Sequence, residues 1–354
     1  YSIDDNLTFV KNENTYKLNV YPKNNNYGFT NQTMNGFGFV ISRFSPVEYN
    51  PQTKELFLYN EVKVRIDYTE NEQYNNLMLS NDPIVLQQIS KFAQNPELIS
   101  QYDLHVTRNE TYDVLIICNT NYVASMQPLV SYYTNLGFLS KVVSLSTISS
   151  TMQGVDVPEK MRNYIIQEYQ NSAIKYVTLA GDADLVPYRG LYCSVQSSSV
   201  YTDNSIPADI YFSALDGNWN SDNDNLWGEP NEEDLLPDVS VGRLPFSNQT
   251  ELNNIINKLN LYTFNPVTAN NELRRPLLAG EHLYDNPLTV GSDYLKLLIG
   301  LKTDNGYTTN GIPVNQSIVT MYNEVQDWGK TEIISALNSG HSFVHHVGHA
   351  NETY

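Results

Sequence analysis

The hydrophobic period of this 354-residue chain changes near residue 110, and that change constrains the fold more than any other feature. Before it, "YKLNVYPK", "GFGFVISRF" and "ELFLYNEVKVRIDY" alternate apolar and polar residues between turn signals such as "YNPQTKE", the mark of half-buried antiparallel strands. In "EVKVRIDY", Val62, Val64 and Ile66 share one face and Lys63, Arg65 and Asp67 the other, which predicts a strand whose apolar face lies on a core. Residues 80–108 read as a helical connection, "DPIVLQQISKFAQNP", running into a polar joint. After it, short continuous apolar strands alternate with helices: "VLIIC", "YVASMQPLVSYYTNLG", "KVVSL", "PEKMRNYIIQEYQ" and "YVTLAGD". The helix opening at Pro158 carries Met161, Tyr164, Ile165 and Tyr169 as its apolar stripe, with proline where a first turn tolerates it. This βαβ order predicts a mainly parallel sheet flanked by helices, with any ligand off the carboxyl ends of its strands.

The pattern resumes at "VSVGRLPF" and the helix "NQTELNNIINKLNLY", where Asn248 and Glu251 form a capping box ahead of the stripe Leu252, Ile255, Ile256 and Leu259. A second block opens at "RRPLLAGEHLYD", continues through helices at "DYLKLLIGL" and "KTEIISALNSG", and closes on the strand "SFVHHVGH". The expected division is an all-β sandwich with linker over 1–110, a first α/β subdomain over 111–270 and a second over 271–354. With 41% hydrophobic and 17% charged residues the chain buries real cores and is not disordered. Its net charge of −18 repels a phosphate backbone, so nucleic acid is excluded as a partner.

No stretch approaches the run of about 18–20 apolar residues of a membrane helix, and the start "YSIDDNLTFV" has neither a basic n-region nor an apolar h-region. The two cysteines, Cys118 and Cys193, lack C-x-x-C spacing and read as structural thiols. Abundant Asn and Tyr, with acceptor sequons at Asn31 and Asn109, point to an exported protein, secreted or held at a bacterial cell surface.

Three histidines crowd the stretch "FVHHVGH". His345 and His349 at i, i+4 would share a zinc ion on a helix. The β-branched and aromatic run after Gly340 reads as a strand, however, and at about 3.3 Å per residue it separates the two rings by roughly 13 Å. That leaves His349, at the carboxyl end of a strand where Gly348 lets the backbone turn, as a candidate general base. His345 and His346 lie inside the strand as structural histidines.

A second constellation is independent of these. "ALDGNWNSDNDNLWGE" sets oxygen side chains at Asp216, Asn218, Asn220, Asp222 and Asp224, with Glu229 beyond, and a hard cation wants several such oxygens. The order resembles the first nine positions of an EF-hand loop, although the sixth position is not glycine and the glutamate stands at position 14 rather than 12. Calcium is the expected ion.

The segments "YVTLAGDADLVP", "LPDVSVGRLPF", "RRPLLAGEHL" and "IISALNSGHSFVHHVGHANET", in this order, resemble the gingipain family of cysteine peptidases, whose catalytic domain has a caspase-like fold. "ISRFSPVEYNPQTKELFLYNEVKVRIDY" resembles the β-sandwich pro-region that precedes that domain. The resemblance implies a secreted endopeptidase in which a cysteine thiolate attacks a polypeptide, a histidine moves the proton and backbone N–H groups hold the oxyanion. It places the histidine on His349, the following glycine on Ala350, the orienting carboxylate on Glu281 and the aspartate of a pocket for basic side chains on Asp293. Without the resemblance, Asp293 is an ordinary residue of a helix start. The nucleophile is implied on the strand after His349, and this sequence ends five residues beyond that histidine. The expected chain is therefore a pro-region with part of a catalytic domain, whose partner is the remaining catalytic segment. Arg108, in the joint, marks where a peptidase preferring basic residues would release the pro-region. A non-catalytic surface or adhesion protein on the same fold, and a secretion-system sortase resembling the gingipains, are the other classes these residues allow.

Overall fold

A computed structural model describes residues 13–23, 26–67, 78–104, 111–196, 199–268, 271–304 and 306–349. The chain divides into two compact units, Tyr1–Asn254 and Ile255–Tyr354.

The first unit begins with a short helix α1 (Glu13–Tyr16) and two antiparallel hairpins, β1 (Asn26–Met34) with β2 (Phe37–Phe44) and β3 (Val47–Asn50) with β4 (Glu55–Leu58). The first hairpin turns on Asn35-Gly36, both at positive φ, the pair that a two-residue turn matching the strand twist demands. A Cβ at Gly36 would stand 2.7 Å from the Leu79 nitrogen, so glycine is also required sterically. Phe37 then packs with Leu79 and with Ile89 of helix α2 (Pro83–Phe92), which Asp82 caps by accepting from Ile84 N–H.

The described N-terminal residues are thus antiparallel, as the alternation requires, but residues 61–67 form no strand. Val62, Val64 and Ile66 are exposed rather than core-facing. Alternation supplies a face; a strand also needs a paired neighbour, and none stands beside these residues among those described.

The main sheet follows in β5 (Val114–Cys118), helix α3 (Gln127–Asn135), β6 (Ser140–Ser144), α4 (Leu145–Thr151), α5 (Val157–Ser172) and β7 (Tyr176–Ala180). An antiparallel hairpin, β8 (Arg189–Gln196) with β9 (Val200–Ala208), precedes β10 (Ser240–Leu244). The order is β10-β7-β5-β6, all parallel, and the predicted stripe of α5 is buried on it. Every residue of β5 is buried, the burial pattern of a central parallel strand. Helix α6 (Gln249–Phe264) starts as expected, with Asn248 Oδ1 accepting from Glu251 N–H at 3.1 Å.

The second unit holds a three-stranded parallel sheet. Its strands are β11 (Leu277–Gly280), β16 (Val319–Tyr322) and β17 (Val344–Val347), in the order β16-β11-β17. Between β11 and β16 come two small hairpins, β12 (His282–Asp285) with β13 (Leu288–Val290) and β14 (Leu301–Asp304) with β15 (Tyr307–Asn310), and helix α7 (Gly291–Lys296). Helix α8 (Lys330–Asn338) leads into β17. Leu278, Leu295 and Tyr322 form the core, with Val347 packed against it. The helix expected over "DYLKLLIGL" ends at Lys296, because Ile299 turns aside to bridge Ile312. Each unit thus holds a parallel sheet with helices, the α/β character expected of a caspase-like fold, and antiparallel strands precede the first of them.

Candidate active site

Three strand ends lie side by side in the second unit. Gly280 of β11 is in register with Tyr322 of β16 and with Val347 of β17, so Glu281, Asn323 and Gly348 all emerge at the carboxyl edge of one sheet. Backbone bonds fix the edge: Glu281 N–H donates to Val347 O at 2.9 Å, and Gly291 N–H to Glu281 O at 2.7 Å. The approach is close enough to need glycine. A Cβ at Gly291 would meet Val347 O at 2.3 Å, and one at Gly348 would meet both Glu281 Cδ and His346 Nε2 at 2.4 Å.

The Glu281 carboxylate is the hub. Its Oε1 accepts from His346 Nε2 at 2.8 Å, and its Oε2 accepts from the His349 backbone N–H at 2.9 Å. The His349 ring points elsewhere, its Nε2 donating to Leu283 O at 2.9 Å while Tyr284 stands edge-on at 5.8 Å. That bond leaves the Nδ1 lone pair of His349 as the acceptor of the neutral ring. His346 is backed edge-on by Trp328 at 5.9 Å. His345 is exposed on the same strand, and the extended backbone of β17 disposes of the i, i+4 zinc pair. The structure therefore brings Glu281 together with His349, through the backbone, and adds His346, which periodicity had placed as a bystander.

Asp293 sits in the exposed first turn of α7, with its carboxylate 3.5 Å from Lys296. Lys296 in turn pairs with Glu324 at 2.6 Å, and Glu324 accepts from Ser292 Oγ. Ala350 and Arg108 lie outside the described residues. Cys118 is buried at the end of β5, and burial pushes its thiol up to about 11, which suits a core residue and not a nucleophile. Cys193 is half-buried in β8.

The acidic loop folds as two carboxylate groups instead of one ring. Asp216 turns inward to Asp234 and Asp238, whereas Asp222 gathers with Glu229 and Glu232 at the surface. The inward group is well supplied with donors. Asp216 accepts from Thr33 Oγ1 at 2.6 Å and from Gly36 N–H at 3.0 Å. Asp238 accepts from Leu215 N–H at 2.6 Å and from Asn35 N–H. Asp234 accepts from Gly217 N–H at 2.9 Å. Burial first, and the Asp216 charge second, push Asp234 up to about 7 and Asp238 up to about 8, and burial raises Asp216 as well.

In the surface group Glu232 Oε1 accepts from Ser221, while its Oε2 is buried with no partner among the described residues. Asn218, Asn220 and Asp224 are engaged in local turns: Asn218 Oδ1 accepts from Asn220 N–H, and Asn220 Oδ1 from Asp224 N–H. Asp234, Asp238 and Glu232 escaped the sequence reading because they lie beyond the loop whose spacing drew attention.

A carboxylate and two histidines thus stand at one strand edge of an α/β unit, and the chain matches peptidase family C25 over residues 107–354 and the C25 propeptide family over residues 2–89. This chain belongs to peptidase family C25. Among its relatives, Lys-gingipain of Porphyromonas gingivalis is 20% identical over 91% of this chain and 17% of its own length. Gingipain R2 of the same species is 23% identical over 88% of this chain and 38% of its own length. The chain thus spans well under half of these curated relatives. Of solved structures, the Arg-specific cysteine proteinase gingipain R aligns with a TM-score of 0.45 at 21% identity, over 70% of this chain and 49% of that one.

Proposed function

We propose that this chain is the pro-region and the histidine-bearing part of the catalytic domain of an exported bacterial cysteine endopeptidase. The observation that carries the reading is the Glu281 carboxylate, held at the carboxyl edge of the β16-β11-β17 sheet and bonded to the His349 backbone at 2.9 Å. In the proposed reaction a thiol loses its proton to His349 Nδ1, and the thiolate attacks the scissile carbonyl carbon. The resulting oxyanion is held by backbone N–H groups, Ala350 among them. His349 returns the proton to the leaving amine, and water then hydrolyses the acyl-enzyme by the same exchange in reverse. Glu281 positions His349 without entering the bond changes.

Neither Cys118 nor Cys193 fits the thiol, which we assign to a segment pairing along the outer edge of β17. That edge has no partner among the described residues, and it exposes Phe343 and Val344 beside it. Asp293, exposed on α7, is the group offered to a basic substrate side chain.

Calcium fits the surface group Asp222, Glu229 and Glu232 better, where a buried carboxylate oxygen lacks a donor, than the Asp216 group, whose oxygens already accept hydrogen bonds. Calcium there would tie the loop down.

The test is made on the full-length protein. One cysteine outside this sequence should be alkylated by iodoacetamide in step with loss of peptide hydrolysis, and a peptide library should show cleavage after Arg or Lys that Asp293→Ala weakens. Hydrolysis that survives complete thiol alkylation would end the reading.

A further inference from the structure

Beside the candidate catalytic edge lies a cavity of about 240 Å³, lined by Met321, Tyr322, Val325, Asp327, Trp328 and Glu332 among others. It opens past the carboxyl end of β16, and its Trp328 wall is the ring that backs His346 at 5.9 Å. Two of its lining residues each carry a polar atom that is buried with no partner among the described residues, the Tyr322 hydroxyl and the Trp328 indole nitrogen. Tyr322 is 9% exposed. A buried donor left unbonded costs free energy, so two on one cavity mark a place where something else completes the bonding.

The chemistry of the lining selects the occupant. The indole N–H only donates, and burial raises the Tyr322 phenol so that it too stands as a neutral O–H donor. Both therefore ask for an oxygen acceptor. A carboxylate ligand is disfavoured, because Asp327 and Glu332 line the same cavity. A neutral amide meets both demands, its carbonyl oxygen taking the Tyr322 and Trp328 donors and its N–H facing Asp327 or Glu332. Met321 and Val325 supply apolar wall for the adjoining methylenes.

We infer that this cavity is a substrate subsite that recognises an amide group of the bound polypeptide through Tyr322 and Trp328. The amide belongs either to an asparagine or glutamine side chain or to the substrate backbone. The inference rests on the peptidase reading for calling the ligand a substrate, but its test needs no hydrolysis.

The full chain is titrated with N-acetyl-glutamine N-methylamide, N-acetyl-leucine N-methylamide and acetate, while the indole N–H resonance of Trp328 is followed by NMR. The chain has three tryptophans, and Trp328→Phe identifies the resonance by its loss. Glutamine probe binding that the leucine probe does not match assigns the side-chain carboxamide; equal shifts assign the backbone amide. In either case Tyr322→Phe should weaken binding about fivefold to tenfold. It should also leave the melting temperature unchanged or raised, since the hydroxyl has no internal bond to lose. No shift from either amide, an equal shift from acetate, or a fall of several degrees in Tyr322→Phe would each overturn the inference. Retained peptide hydrolysis alongside absent amide binding would remove the subsite and leave the catalytic reading standing.

Discussion

The two parallel sheets of this chain use the same architecture to opposite ends. In the first, β5 is buried at all five positions, and β7 at all but its first. In the second, only β11 is buried throughout, while β17, which carries the histidines, is exposed along most of its length. The first sheet devotes its central strands to packing. The second sets three glycines at its carboxyl edge, packed to let side chains converge, and beside that edge the Tyr322 hydroxyl and Trp328 indole nitrogen are buried with no partner among the described residues. Stability and chemistry are thus divided between units, and a substitution should reveal which role its unit plays.

The largest effect should come from the second sheet. In the full-length enzyme His349→Ala is expected to lower kcat about 10³-fold, the scale of a lost acid–base group, with unchanged thermal stability. His346→Ala should stay within about tenfold, because its ring is committed to Glu281. Equal losses would transfer the proton shuttle to His346, and steady-state kinetics on one peptide decides it.

The first sheet should respond in the other currency. Ile116→Ala in β5 removes a fully buried side chain from a packed layer and should cost about 3 kcal/mol in denaturant unfolding. Val344→Ala in β17, 43% exposed, should cost less than about 1 kcal/mol. Comparable losses at the two sites would break the contrast between the sheets.

The smallest effect tests the acidic loop. Saturating calcium should raise the melting temperature, the stabilisation reaching about 2.7 kcal/mol at a hundredfold excess over Kd. Asp222→Ala should abolish the rise. Asp216→Ala should retain it on a lower baseline, because its loss strands the Thr33 hydroxyl and Gly36 N–H. No shift at millimolar calcium would remove the ion from the loop.

Much of this was legible in the sequence, for physical reasons that differ by element. Continuous apolar runs between helical stripes announced the parallel sheets, since a strand covered on both faces has no polar face to show. "FVHHV" after Gly340 read correctly as a strand, which by itself excluded the i, i+4 metal pair. Glu281 beside His349 was reached only through family resemblance, because their approach depends on register between β11 and β17. The sequence carried a trace of it in Gly280, Gly291 and Gly348, where close backbone contact leaves no room for a Cβ. Asp234 and Asp238 were invisible for the same reason: they meet Asp216 through folding and not through spacing. The alternation of "EVKVRIDY" misled because period reports what a segment would do given a neighbour.

The Asn35-Gly36 turn has a consequence for the life of the protein after synthesis. Its amide hydrogens end on carboxylates of the loop that follows β9, and Asn35 Nδ2 also donates to Asp238 O at 2.8 Å. The β1–β2 hairpin is therefore fastened to the α/β layer at a point some 180–200 positions away along the chain. Were the joint cut near Arg108, as the proposed release site would have it, the covalent thread would be lost and this clasp would stay closed, so the two polypeptides would travel as one particle until something prised the turn from its seat.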